Sequence, residues 1–544
     1  MKKKYINHKA IVKQDTNKFS IKFSYFIIVI FSVFLAIGMY YHEMWRDEIE
    51  IYSKIAFSGT KFIVSEYSYF AYNLLIKVSL WVNESQTMFQ FCHYIIILSA
   101  IFLLNKYSPF NLFEKFFITF SYFLFFEYGI ISRYYGFLVL MVFIILFLLS
   151  RKKVNYYLII IPLIILANHS INSYIIALSL FLYIINDLFK KLKDKTLTKR
   201  LIISYTSVFL CFVLIGLIYL MYTTKQKSQF EGLGEAPYFM TIRTIWNSFV
   251  PLPKFTNTAS FWNTNFFDFP IVYPLNYDIT VFKTSQNIFL FILSLFILII
   301  ILIKFSKKPV VFWVFLFNYI LLLLFLHIAR FYFIRHQGLL FIVFIYSYWL
   351  YHISDGKIHL PVLKKVKLDV LSKLKLGLLF KPMIMGFLIL QFVSSSYAFY
   401  KDIKYKFTLS HDAAKFIKDN NLDKDHEMIG YIDYSAQAIA INLKKKMYFP
   451  QGKSYNYFWS QFDKNYNRDI PITDVFEACT NYTEKQQKKV LLILNFPLTD
   501  NKQQQLSNAM LTQKTSISLL QSFTGDIIQS DEQYWIYECK MVKQ

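Results

Sequence analysis

The sequence predicts a mainly α-helical protein that crosses a membrane about eleven times and carries an α/β domain at its C-terminal end. Three observations predict it. Of 544 residues, 56% are hydrophobic, with 59 phenylalanines and 41 tyrosines, more apolar surface than a soluble core hides. Uncharged apolar stretches long enough to span a bilayer recur along the first 400 residues. The net charge of +25 resides largely in short segments between those stretches. Cytoplasmic loops carry Lys and Arg in this way, which argues against a nucleic-acid partner.

Taken in order, the expected spans are 23–41, 87–105, 115–129, 132–150, 154–168, 170–187, 201–222, 286–304, 309–329, 337–353 and 382–400. The first, "FSYFIIVIFSVFLAIGMYY", follows MKKK and further lysines. It is too long for a signal-peptide core and lacks a small-residue cleavage site, so it reads as a spanning helix with its N-terminus in the cytoplasm. The basic connections "RKK" (151–153), "KKLKDKTLTKR" (190–200), "KFSKK" (304–308) and the lysine-rich 357–381 segment then all fall inside. An odd number of spans puts the C-terminus outside. Residues 1–400 form the membrane domain, with external loops at 42–86 and 223–285, and residues 401–544 form the external α/β domain. There, "HDAAKFIKDN" reads as a helix and "MIGYID" and "KVLLILNF" as strands. Four cysteines are too few for a disulfide framework; Cys479 and Cys539 either pair in an oxidising compartment or remain thiols. Glycine is scarce, at 14 residues, and no internal repeat is visible.

Ionisable side chains recur where the expected spans reach the external face. "HEMWRDEIE" (42–50) leaves the first span, and within it Asp47 and Glu48 are adjacent, flanked by Trp45 and Arg46. Glu43 and Glu50 read as solvated acids. The following stretch, Ile49 to Val64, reads as an amphipathic segment lying along the interface. Glu127 and Arg133 lie at the facing ends of the third and fourth spans, either as a buried pair or as site residues. Asn168 and His169 fall between the fifth and sixth, and two histidines with two arginines lie in "HIARFYFIRHQG" (327–338). Charged groups at membrane depth are costly and mark function by default, so together they suggest a polar cavity opening outward. A carboxylate can take a proton from an attacking hydroxyl. Arginines can stabilise a phosphate leaving group through paired hydrogen bonds, and aromatic rings suit both sugar faces and the interface. The same inventory would also serve a transporter.

"HEMWRDE" resembles the first-loop acidic motif of integral-membrane glycosyltransferases of the GT-C class. The branch it resembles holds the protein mannosyltransferases, the aminoarabinose transferase of lipid A and their bacterial relatives. The second acid of that branch lies in an "E-G-H-P-P-L-W-Y" type sequence. It is similar here to "SEYSYFAYNLLIKVSLW" (65–81), which keeps Glu66 but has Ser68, Tyr69 and Phe70 in place of the His and Pro positions. "FFEYGIISRYYGFLVL", "LANHSINSY" and "RHQGLLF" resemble later motifs of the branch in the same order. The resemblance implies a polyprenyl-phosphate-linked sugar as donor and a cell-envelope acceptor (glycan, lipid or protein) reached from the external leaflet. It implies Asp47 as the catalytic base, with Glu48 and Glu66 shaping the acceptor or sugar site. Arg133 and Arg335 are then the donor-phosphate ligands, with Tyr134, His169 and His336 beside them. Some enzymes of the class use a divalent metal and others in this branch do not; His42, Asp47 and Glu66 would offer one a carboxylate-rich site, and an essential metal is not expected. The alternatives are a polysaccharide polymerase or ligase, and a non-catalytic transporter or lipid-binding membrane protein. The acidic pair after the first span disfavours the former, and the lack of paired repeats disfavours a transporter.

Overall fold

A computed structural model describes residues 18–57, 69–230, 238–267, 284–329, 333–360, 368–457, 466–498 and 515–541. Among these, seven helices are long and apolar enough to cross a membrane: Ser20–Tyr41, Gln86–Tyr107, Ile171–Lys193, Lys199–Tyr219, Ile288–Ser306, Pro309–Ala329 and Lys375–Lys404. Each coincides with one of the eleven expected spans. The other four fall on shorter or more polar elements. The third is broken into the helix Leu112–Thr119 and a π-helix, Tyr122–Ile130. The fourth and fifth are the apolar helices Tyr135–Leu149 and Tyr156–Ala167. The last of the four, Ile334–Ile353, is buried at every position from His336 to Leu350. Ile334–Ile353 and the largely buried Tyr135–Leu149 lie in the middle of the bundle, where neighbouring protein rather than lipid sets the required length and polarity. Tyr156–Ala167, by contrast, leaves Tyr157, Leu158 and Ile161 exposed.

Two further expectations are corrected. The 42–86 segment is not simply a polar loop. Its helix Arg46–Phe57 buries Glu48, Ile49, Tyr52, Ser53, Ile55 and Ala56, because it packs against the helices Phe70–Val82, Gln86–Tyr107 and Asp433–Asn442. It is sandwiched in protein rather than laid on a membrane surface; 58–64 lies outside the described residues. The 223–285 segment contains a helix, Tyr238–Phe249, that packs against the Thr284–Ser306, Pro309–Ala329 and Ile334–Ile353 helices. The connection that follows it is held by Lys401, whose Nζ donates to the carbonyls of Thr256 and Thr258, both at 2.7 Å.

The C-terminal region folds as a six-stranded sheet in the order β3-β2-β1-β4-β6-β5. Its strands are β1 (His426–Tyr431), β2 (Met447–Phe449), β3 (Ser454–Asn456), β4 (Lys489–Leu494), β5 (Thr515–Phe523) and β6 (Tyr534–Met541). β1 runs parallel to β2 and β4, while β3, β5 and β6 are added antiparallel. The central strand β4, "KVLLIL", is buried from Val490 to Leu494, the continuous apolar run of a strand covered on both faces. Helix Ser410–Asp419 precedes the sheet where "HDAAKFIKDN" predicted one. Cys479 and Cys539 are both buried and both free.

Candidate functional site

The site is built where the first helix ends. Acids in the first turn of Arg46–Phe57 suit the positive end of its dipole. Glu48 also reaches back to accept a hydrogen bond from the Trp45 backbone N–H at 3.3 Å, half of a capping box. Successive helix residues project about 100° apart, so Asp47 and Glu48 face different surroundings.

Asp47 faces arginines. Its Oδ2 lies 3.0 Å from Nη1 of Arg133 and 3.5 Å from Nη2 of Arg335, and its Oδ1 lies 4.0 Å from Nε of Arg46. Burial works to raise the Asp47 carboxyl, but the guanidiniums of Arg133, Arg335 and Arg46 outweigh it and hold the group below the ordinary carboxylate range. Asp47 keeps 23% side-chain exposure, against 10% for Arg133 and 13% for Arg335. Trp45 forms a wall beside all three cations, with guanidinium carbons 5.5 Å (Arg46), 5.7 Å (Arg133) and 5.7 Å (Arg335) from its ring centre. The buried Nε atoms of Arg133 and Arg335 have no hydrogen-bond partner. One carboxylate therefore serves two buried guanidiniums that retain unused donors.

Glu48 is placed otherwise than expected. It is fully buried, with its oxygens occupied by protein. Oε2 lies 2.8 Å from Nε2 of His42, and Oε1 accepts the backbone N–H of Ser132. Nδ1 of His42 lies 3.0 Å from Asp402, at the end of the last spanning helix. Burial opposes charge on His42, but the carboxylates of Asp402 and Glu48 prevail and raise the imidazole well above its ordinary range. Glu48 thus clamps the backbone next to Arg133 and presents nothing to a substrate. This corrects its assignment to the sugar or acceptor site.

The remaining residues sort as follows. Tyr134 donates to the Tyr135 hydroxyl at 3.3 Å, and the Tyr135 hydroxyl lies 3.0 Å from Nδ1 of His336. His169 supports the same segment from behind, its Nε2 3.0 Å from the Tyr134 carbonyl. Its ring packs edge-on against Tyr69, which packs on Tyr134. Tyr128 donates to the Arg335 carbonyl at 2.6 Å. That approach depends on Gly338, where a Cβ would come within 2.5 Å of the Tyr128 hydroxyl. Glu127 is not paired with Arg133; it accepts from Trp262 at 3.1 Å and Tyr122 at 3.3 Å. Glu50 pairs with Lys54 at 2.6 Å, and Glu43 faces Lys406 at 3.7 Å. Glu66 lies outside the described residues. Among the described residues no three His, Cys, Asp or Glu side chains are grouped to hold a metal ion, and His42 is engaged with Glu48 and Asp402 rather than grouped with Asp47.

Sequence reasoning passed over three contributors. Trp262, from the 223–285 segment, meets Trp45 edge-on at 4.7 Å. Asp402 carries the same signal as the residues that were singled out, an acid at a helix end. The C-terminal domain also enters the site, since Asp531 binds Nη1 of Arg46 and Glu532 accepts the Arg46 backbone N–H at 3.0 Å.

Fold and site together define a multi-pass membrane protein with a polar, arginine-rich cluster at one end of its helical bundle. No protein-family model, curated protein or solved structure matches the chain.

Proposed function

We propose that the protein is a membrane glycosyltransferase of GT-C type. It transfers a sugar from a polyprenyl-phosphate donor to a cell-envelope acceptor, with inversion at the anomeric carbon. The observation that carries this reading is the Asp47 carboxylate held between Arg133 and Arg335, each of which keeps an unused Nε–H donor. Two arginines converging on one point suit the paired recognition of a phosphate. Their charge stabilises the leaving phosphate without a general acid. In this reading the basic loops lie in the cytoplasm, and the site and C-terminal domain lie outside the cytoplasmic membrane.

Asp47 has two roles in sequence. Before the donor arrives, it neutralises the arginines, and they in turn weaken it as a base. The donor phosphate competes for the same guanidinium donors and releases the carboxylate. An acceptor hydroxyl then attacks the anomeric carbon. The new glycosidic bond forms as the bond from that carbon to the phosphate oxygen breaks, and polyprenyl phosphate leaves with the electron pair. Asp47 receives the hydroxyl proton. Glu48, His42 and Asp402 touch no reactant; they fix the backbone that carries Asp47 and Arg133. Trp45, Trp262, Tyr134 and Tyr135 supply the aromatic walls that sugars favour.

The test is turnover in proteoliposomes offered a panel of polyprenyl-phosphate hexoses and pentoses, read as release of polyprenyl phosphate. Release should depend on Asp47. Solute flux without sugar transfer, or undiminished release by Asp47→Asn, would overturn the proposal.

A further inference from the structure

The C-terminal sheet is wound in opposite directions from β1. The chain leaves β1 through the helix Asp433–Asn442 to reach β2 on one side, and it returns through the helix Ile472–Thr480 to β4 on the other. The two helices cover opposite faces. Ala436 and Ile439 pack in a cluster with Met428, Leu491 and Ile493, whereas Val475 and Phe476 pack in one with Ile429, Val490 and Leu492. Parallel neighbours whose connections diverge in this way leave a crevice at their carboxyl ends, where open α/β sheets bind ligands. Here that crevice lies between Asp433, just after β1, and Asn495, just after β4.

Its polar groups have unused capacity. Asp433 is fully buried. Its Oδ1 accepts from the Tyr434 N–H at 2.8 Å and the Tyr466 hydroxyl at 3.3 Å, whereas its buried Oδ2 has no partner. Asn495 donates to the Asp531 carbonyl at 3.4 Å, and its buried Oδ1 likewise has none. Buried acceptors left unpaired are costly. Gln451, also buried, holds the Asp433 N–H at 3.0 Å. The crevice adjoins the membrane-domain site through Arg46. That guanidinium stacks over Tyr434 at 4.8 Å, is bound by Asp531, and reaches to 4.0 Å from Asp47.

We propose that this crevice binds the hydroxyl-rich end of a glycan, Asp433 and Asn495 accepting hydrogen bonds from its hydroxyls, and so holds the acceptor above Asp47. The acceptor role rests on the glycosyltransferase reading; the glycan site itself does not. The chemistry selects the ligand class. Two buried acceptors without partners call for donors, a carboxylate repels an anion, and the adjoining Arg46 disfavours a cation. Neutral hydroxyls remain, next to an aromatic ring suited to a sugar face.

The experiment uses the full chain in lipid nanodiscs with chitotetraose and maltotetraose as probes, followed by saturation-transfer NMR. At least one probe should bind. The double variant Asp433→Leu/Asn495→Leu should weaken that binding at least about tenfold, the equivalent of one or two hydrogen bonds. Arg335→Ala should leave it unchanged. Should the double variant melt early, Asp433→Asn provides the reading at unchanged melting temperature, with weaker binding expected. Failure of both probes to bind the wild type, or undiminished binding by the variants, overturns the proposal. Retained glycan binding without sugar transfer from any donor leaves the crevice standing and overturns only the glycosyltransferase reading. With transfer established, the variants should raise the acceptor KM and leave the donor KM unchanged.

Discussion

The two ends of the helical bundle both carry charge, and they use it differently. At the basic end, lysines are tied to nearby loops. Lys190 binds Asp355, Lys193 donates to the His359 carbonyl at 3.1 Å, and Lys308 donates to the Ser354 carbonyl at 2.6 Å. Asn186 completes the latch, accepting the His359 N–H at 2.7 Å. At the other end, Arg133 and Arg335 share a single carboxylate and keep buried donors unpaired. Charge satisfied locally holds loops and records topology. Charge left short of partners in a buried place carries a free-energy cost that a ligand can relieve. The contrast separates charge that holds this membrane protein's loops from charge whose donors are left unpaired.

The largest expected effect comes from Asp47. Asp47→Ala should lower turnover by about 10²–10⁴-fold, the range for loss of a positioned base, whereas Lys190→Ala should leave turnover intact. Arg133→Ala or Arg335→Ala should follow at about 10²–10³-fold. These two also change the pH profile. The arginines hold the Asp47 carboxyl down, so removing either raises it, and the acid limb of kcat/KM should move to higher pH.

Next come the buried partners of His42. Asp402→Ala should destabilise the fold by about 3–5 kcal/mol, the cost of breaking a buried pair, measured by thermal unfolding in detergent. Because the His42 imidazole is raised in the folded state, its contribution is complete below the ordinary histidine range and is lost as pH rises through the raised value. Asp402→Asn should therefore lose stability at lower pH than the wild type. The smallest effect belongs to the basic end. The Lys190–Asp355 pair is about one-third exposed, and its removal should cost no more than about 1 kcal/mol.

Much of this was legible in the sequence, for identifiable reasons. Hydropathy located the seven long spans because lipid demands length and apolarity together. It was less informative for Ile334–Ile353, which is enclosed by protein and tolerates His336, Gln337 and His352. Asp47, Arg133 and Arg335 could be chosen because charge at membrane depth is rare. That they meet, from stretches far apart along the chain, is a fact of packing that spacing does not encode. Asp47 and Glu48 looked like a catalytic pair because they are adjacent, yet adjacency on a helix separates them. One turns to the arginines and the other to His42. Asp402 went unnoticed as a lone acid 360 residues from its histidine. The point in the C-terminal sheet where the connections diverge was invisible for a related reason, since it arises from strand order rather than from any motif.

The central claim is that Asp47 and a phosphate compete for Arg133 and Arg335. It is tested most directly by measuring the affinity of purified Asp47→Asn protein for polyprenyl phosphate against that of the wild type. Removing the competing carboxylate charge should leave affinity undiminished or increased while abolishing turnover, and adding Arg335→Ala should lose the binding. Weaker binding of polyprenyl phosphate by Asp47→Asn would contradict the account.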